Sequence, residues 1–365
     1  MIETKQGSAK EKRSQDSSPE RIALLSSEMA EKVGKAITEI GDVNDTARLL
    51  SFNAQIEAAR AGGSSGAAFA VVATAMQELS GKTADVAKRM ASETGEAMAE
   101  LREISGALAT HVRGTRLSDL ALTNIDLIDR NLYERSCDVR WWATDSSCVD
   151  ALADPGKETA DYCSRRLGVI LNSYTVYKDL VLCNLDGKVI ANGCPRQYKS
   201  VGHDCSGSQW FREALAHSSG EEFGFQAVHA SALVSGQRIL AYSCGVREKG
   251  DAKGRLLGVL GILFDWDSLA QNIVHNTPID PADVARSRVC IIDSEGEVLA
   301  DSKDRQLEER LELPDQKRLL SEKKNFVIVR QDGKLRCIAH AHAPGYETYS
   351  TGWHSVIIQD LIEGK

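Results

Sequence analysis

Residues 183–192 read CNLDGKVIAN and residues 291–301 read IIDSEGEVLAD. Each is an apolar run, an acidic residue followed by glycine, and a second apolar run ending on a polar residue. Such a pair between two apolar runs signals a tight turn joining antiparallel strands, because glycine enters the positive-φ region without steric cost. Extended backward, the first run starts at Asp179 and its counterpart at Arg288. The chain therefore writes one strand–turn–strand pattern twice, an internal repeat. More strand-length apolar runs follow each copy. Residues 239–246 and 256–264, split by a polar turn at 249–251, follow the first; residues 325–330, 335–341 and 353–359 follow the second. The expectation is two tandem α/β units with antiparallel sheets, over 173–284 and 285–365.

Upstream the period changes from two to helical. Leu117, Leu120, Ile125, Ile128, Leu132, Val139 and Trp142 keep helical spacing. They predict a long connecting helix over 113–172, with a break near Asp154-Pro155-Gly156. Further back the period is seven. Met29, Ala36, Val43 and Leu50 form one series, and Val33, Ile40, Ala47 and Ala54 the other. After Gly62-Gly63-Ser64-Ser65-Gly66 the spacing resumes as Met76, Thr83, Met90, Ala97 and Ile104, beside Val72, Leu79 and Val86. The second series breaks at Glu93 and shifts to Leu101 and Leu108, a stutter. Two arms of similar length around a glycine turn predict an antiparallel helical hairpin over 20–112, turning near 62–68. Many seam positions are alanine, which buries little area, so dimerisation into a four-helix bundle is expected. Residues 1–19 are polar and read as a disordered tail, with Pro19 suited to a helix start. The fold class is α+β.

A chain of 365 residues has room for two or three domains, and its net charge of -8 argues against a nucleic-acid partner. No apolar run approaches the roughly 18–20 residues of a membrane span, and the N-terminus lacks the apolar core of a secretory signal. A cytoplasmic protein is expected. The 9 cysteines form no CxxC pair and read as reduced, mostly buried thiols. No phosphate-binding loop, dinucleotide fingerprint or HExxH motif occurs, nor a nucleophile–base–acid pattern, so neither an enzyme nor a cofactor is expected. Cys337, His340 and His342 lie close in sequence, and two histidines on one strand face suit a metal. A solvated strand face is the preferred reading. His203 with Cys194 and Cys205 is a second such grouping.

The segment 50–62, LSFNAQIEAARAG, followed by FAVVA at 69–73, resembles the kinase-control tip of methyl-accepting chemotaxis proteins. In that family the tip binds a histidine kinase and its adaptor protein. The resemblance carries that role to Asn53, Glu57, Arg60 and Phe69. The segment 63–68 departs from the family by lacking its acidic and basic turn residues.

Residues 117–362 resemble the double Cache, or PAS-like, sensor domain. The supporting stretches are 174–192, VGHDCSGSQWFREAL at 201–215, GVLGILFD at 258–265 and TGWHSVIIQ at 351–359. The resemblance implies a small-molecule site in the first unit. Its amino-acid-binding branch uses a tyrosine, an arginine, an aromatic pair and a later aspartate. By position these fall on His203, Ser208, Trp210, Phe211 and Asp265, with His229 and Tyr242 on strands facing the pocket. Ser208 replaces the carboxylate-gripping arginine, so the implied ligand is amine- or amino-acid-like rather than a certain α-amino acid. The competing reading makes Trp210 and Phe211 core aromatics and Asp265 a helix cap near Ser268. Three functions follow: a chemoreceptor-like transducer, a binding module whose hairpin only dimerises, and a metal or redox sensor.

Overall fold

The structure, a computed structural model, describes residues 19–314 and 316–361. Residues 1–18 of the expected tail lie outside the described residues. The chain divides into a helical unit ending at Arg113 and a sheet unit from Gly114 onward.

In the helical unit, α1 (Pro19–Ala61) is followed after Gly62 by α2 (Gly63–Trp142). The turn is tighter than expected: Gly62 and Gly63 carry positive φ, 57° and 67°, and helix resumes at once. A Cβ on Gly66 would lie 2.5 Å from the Ala58 carbonyl oxygen, so the arms can approach this closely only at a glycine.

The seam between the arms differs from expectation by one residue. Asn44, Ser51 and Ala58 of one arm and Ala73, Ser80 and Ala87 of the other are buried, whereas Val43, Leu50, Val72 and Leu79 remain more than half exposed. Three cross-arm hydrogen bonds explain the choice. Ser51 Oγ donates to Ala73 O at 2.7 Å, Ser80 Oγ to Asn44 Oδ1 at 2.8 Å, and Gln55 Nε2 to Gln77 Oε1 at 3.0 Å. Small and polar side chains let the backbones close up, and the large apolar side chains are turned outward.

In the sheet unit, α2 ends at Trp142; the expected break at Asp154-Pro155-Gly156 is present, and a second, unexpected one falls at 143–145. Asp145 caps α3 (Ser146–Ala153), accepting from Ser147 N at 2.9 Å. The Asp-Pro-Gly elbow then leads to α4 (Lys157–Asn172). The first sheet holds β1 (Tyr177–Asn184), β2 (Val189–Asn192), β3 (Gly224–Ser231), β4 (Gln237–Arg247) and β5 (Leu256–Phe264), with α5 (Gln209–Ala216) between β2 and β3. After β5 comes the short α6 (Asn272–His275). The second sheet holds β6 (Ser287–Ile292), β7 (Val298–Asp301), β8 (Lys324–Gln331), β9 (Lys334–His342) and β10 (His354–Asp360), with α7 (Gln316–Ser321) before β8.

The strand orders are β2-β1-β5-β4-β3 and β7-β6-β10-β9-β8, the same topology twice. The internal repeat is thus structural: Val181 pairs with Asn192, and Cys290 with Asp301. In each copy the side chain before the turn accepts the amide of the second strand, Lys188 N to Asn184 Oδ1 at 2.9 Å and Glu297 N to Asp293 Oδ1 at 2.8 Å. One core runs through both sheets. It includes Ile125, Ile128 and Leu132 of α2, Leu182, Tyr242 and Ile262 of the first sheet, and Ile291, Ala339 and Ile357 of the second. The other face of each sheet carries its own smaller cluster.

Candidate functional site

The outer face of the first sheet is built by strand alternation. Val181 and Cys183 of β1, Ile239 and Ala241 of β4, and Val259 and Leu263 of β5 point away from α2, toward Trp210 and Phe211 of α5. Gly261, at the centre of β5, is the floor. A Cβ there would come within 2.8 Å of the Trp210 ring, so the indole lies directly on the sheet. Phe211 meets Trp210 edge to face at 6.0 Å. Leu233, Val234 and Tyr198 close over them. Ser208 stands at the N-cap of α5 without capping it. Instead Gln226 Oε1 accepts from Gln209 N at 3.1 Å and Trp210 N at 3.4 Å, and Ser243 Oγ donates to Trp210 O at 2.6 Å.

The expected residues separate into three groups. Trp210 and Phe211 are together and buried, each 1% exposed, which matches their reading as core aromatics. His203, exposed, lies beside β2 in the turn before α5, where its carbonyl accepts from Val189 N at 2.9 Å. Half-buried His229 turns its Nδ1 to Ala227 O at 2.7 Å. Tyr242 is a correction. It belongs to the opposite face, in the core shared with α2, because Ile239 and Ala241 point outward and Leu240 and Tyr242 inward. Its hydroxyl meets that of Tyr349 at 2.6 Å.

Asp265, immediately after β5, accepts from Ser268 Oγ at 2.6 Å and Ser268 N at 3.3 Å, as a helix-capping side chain does. It also pairs with Lys178 Nζ at 3.0 Å, both side chains being largely buried. A ligand ammonium at Asp265 must therefore share or displace Lys178. Sequence reading missed Lys178, although a charged pair, Lys178-Asp179, opening an apolar strand is a visible anomaly.

Asp179 itself is fully buried. It accepts from Leu180 N and Cys194 N, each at 2.9 Å, and from Asn192 Nδ2 at 2.7 Å. Burial pushes its pKa up, and these hydrogen bonds offset part of that rise. The carboxylate thereby pins the 192–200 loop against β1.

The first sheet is tied to α2 through a second polar cluster. Arg135 is 5% exposed in its side chain and reaches Glu134 at 2.7 Å and Asp138 at 3.4 Å. Its guanidinium lies 5.2 Å from the Tyr177 ring centroid and 5.8 Å from that of Phe264. The Tyr177 hydroxyl donates to Asp138, and burial raises its pKa. About two turns nearer the helical unit, buried Asp129 accepts from Gly345 N at 2.9 Å and Thr351 Oγ1 at 2.7 Å, holding the loop between β9 and β10. These contacts tie α2 to both sheets.

In the helical unit, Asn53, Glu57, Arg60 and Phe69 are all exposed near the turn. Arg60 pairs with Glu57 at 3.0 Å, and Phe69 is 63% exposed. His340 does not lie on a solvated strand face. It is fully buried, and His354 of β10 packs 5.5 Å from it and 4.8 Å from His342. Among the described residues no group of three or more His, Cys, Asp or Glu is arranged to hold a metal ion.

Residues 67–363 match the model of the Cache domain, more than half of the chain. The chain belongs to the Cache domain family. Residues 3–119 match the methyl-accepting chemotaxis protein (MCP) signalling domain, so this Cache protein also carries a chemoreceptor signalling hairpin. No curated protein matches the sequence. Among solved structures, the ligand-binding domain of the Campylobacter jejuni chemoreceptor Tlp3 in complex with 4-methylisoleucine is similar, at 15% identity and a TM-score of 0.51, covering 69% of this chain and 92% of that one. The Tlp3 sensory domain with isoleucine bound is similar at 16% identity and a TM-score of 0.50, covering 68% of this chain and 93% of that one. At such identities the likeness shows the fold: two sheets behind one long helix. No helix among the described residues is long and apolar enough to cross a membrane.

Proposed function

We propose that this Cache protein is a non-enzymatic sensor, placed in the cytoplasm beside its kinase, that binds a small molecule in the first Cache unit and relays it through the hairpin to a histidine kinase and its adaptor. The observation that carries the reading is that one helix, α2 (Gly63–Trp142), belongs to both matched segments. It forms an arm of the hairpin and then the spine that Asp129, Arg135 and Asp138 anchor to the two sheets. A ligand that moves α5 or the end of β5 acts on Tyr177 and Phe264, and so on Arg135 and α2. The exposed Glu57, Arg60 and Phe69 are the output surface.

The ligand class follows from what the site supplies. Once α5 is displaced, Trp210 and Phe211 provide an apolar wall, while Asp265 is an acceptor and Ser208 supplies no charge. An amine or amino-acid-like molecule with an apolar body fits that set, and the isoleucine named with Tlp3 is of that kind. The pairing of Lys178 with Asp265 supports an exchange in which the ligand ammonium replaces the lysine.

A thermal-shift series on the full chain tests this with branched-chain amino acids and the corresponding amines. A ligand that binds only the folded state raises Tm. The expected result is a rise with at least one of them, lost in Asp265→Asn and enhanced in Lys178→Met. Rises that ignore both substitutions would move the site elsewhere. Kinase activity in a reconstituted kinase–adaptor mixture that does not respond to the protein, with or without Arg60→Ala, would defeat the relay.

A further inference from the structure

Two thiols meet in the first Cache unit, away from the candidate site. Cys148 lies in the first turn of α3 and Cys163 lies near the middle of α4. Their Sγ atoms are 3.8 Å apart, 15 positions apart in sequence, and both side chains are fully buried. The Asp-Pro-Gly elbow brings the two helices into contact. A disulfide has an S–S distance of about 2.0 Å, so closure needs the two sulfurs to approach by about 1.8 Å. We infer that Cys148 and Cys163 are a dithiol–disulfide couple, closed by exchange with a small-molecule disulfide, that staples α3 to α4.

The chemistry balances without any group beyond that disulfide. One cysteine thiolate attacks a sulfur of oxidised glutathione, forming a mixed disulfide and releasing one glutathione thiolate. The second cysteine thiolate attacks the protein sulfur and releases the other. Two protein thiols are oxidised to one disulfide, one glutathione disulfide is reduced to two thiols, and the two protons go to the leaving thiolates.

The position gives the staple a consequence. α3 packs on β5, where Leu152 fills the space above Gly258, and α4 packs on β1 and β2. A bond between the helices fixes the inner face of the sheet whose outer face carries Trp210. The hydrogen bond to Cys163, and then burial, hold the Cys148 thiol well above its ordinary pKa. The native pair therefore reacts slowly, through opening of the eight-residue α3, and faster as pH rises.

The full chain is incubated with oxidised glutathione at pH 8.5, its remaining thiols are alkylated, and it is digested without reductant for peptide mass mapping. A parallel sample is refolded from denaturant in a glutathione redox buffer, where burial no longer limits access. The expected result is one linked peptide joining Cys148 to Cys163, with the other seven cysteines alkylated. The oxidised protein should melt several degrees higher, an effect reversed by dithiothreitol and absent in Cys163→Ala. If the refolded sample leaves both thiols free, links them to other cysteines, or gains no stability on closure, the inference is overturned.

Discussion

At the residue scale, the repeat conserves a geometry and exchanges its chemistry. Asp179 on β1 bonds to Asn192 on β2. At the corresponding place in the second sheet, Arg288 on β6 holds Asp301 on β7, with Nη2 to Oδ2 at 2.6 Å. Burial pushes Asp301 up, but the hydrogen bonds and charge of Arg288 more than offset it, and its pKa lies below the ordinary range. The first carboxylate is thus held by amides and the second by a guanidinium. Two histidines of the second sheet make its stability depend on pH. Burial, with His342 and His340 nearby, lowers the His354 pKa to about 4, and burial lowers His340. A base whose folded pKa is depressed contributes stability that is complete above its unfolded value, about 6.5, and is lost as pH falls toward 4. Denaturant unfolding of the full chain should therefore show a loss on the order of 3 kcal/mol from His354 across that window. His354→Phe should flatten the profile between pH 6.5 and 4; an unchanged slope would assign the acid sensitivity to other groups.

At the scale of elements, the hairpin shows what a heptad pattern leaves open. Val33, Ala47 and Ala54 do lie at the interface between the arms, half-buried, but the companion row is Asn44, Ser51 and Ala58 rather than Val43 and Leu50. A row of large apolar residues marks where a helix meets some partner. It does not say whether that partner is the other arm or another molecule. The turn depends on Gly66, whose missing Cβ admits the Ala58 carbonyl. Gly66→Val should splay the last turns of both arms, cost about 2–3 kcal/mol through overpacking, and abolish any kinase response. Hydrogen exchange at 55–73 should rise while the sheet unit keeps its protection; unchanged exchange at the tip would show that the arms tolerate the side chain. Tyr242 illustrates the same limit in a strand. Its burial could be read from an apolar run, but the face it takes depends on which neighbours define inside.

At the scale of the molecule, the outward row of the hairpin carries the next prediction. Met29, Val43, Leu50, Val72 and Leu79 are each more than half exposed, and Ala36, Ile40, Val43, Met76 and Leu79 line a groove of about 480 Å3 between the arms. A row of this size left in water is unfavourable by the ordinary cost of apolar exposure. A second hairpin laid into it would complete four helices. Sedimentation of the full chain should give a dimer, and Val43→Asp with Leu79→Asp should give a folded monomer; a monomeric parent would remove that role for the row. The sequence by itself determined the two-part organisation, the hairpin with its glycine turn, the doubled strand–turn–strand unit and the small-molecule-sensor type of fold. The organisation, the hairpin and the doubled unit follow from periodicity and from glycine's access to positive φ, which are local properties; the sensor type was implied by the resemblance to the Cache family. Tertiary structure alone decided which row of each helix is inside, that Tyr242 faces α2 and Trp210 the opposite side, that Lys178 occupies Asp265, and that His340 and His354 are buried beside half-buried His342. Each of these depends on side chains distant in sequence competing for the same space, and no local pattern encodes the outcome of that competition.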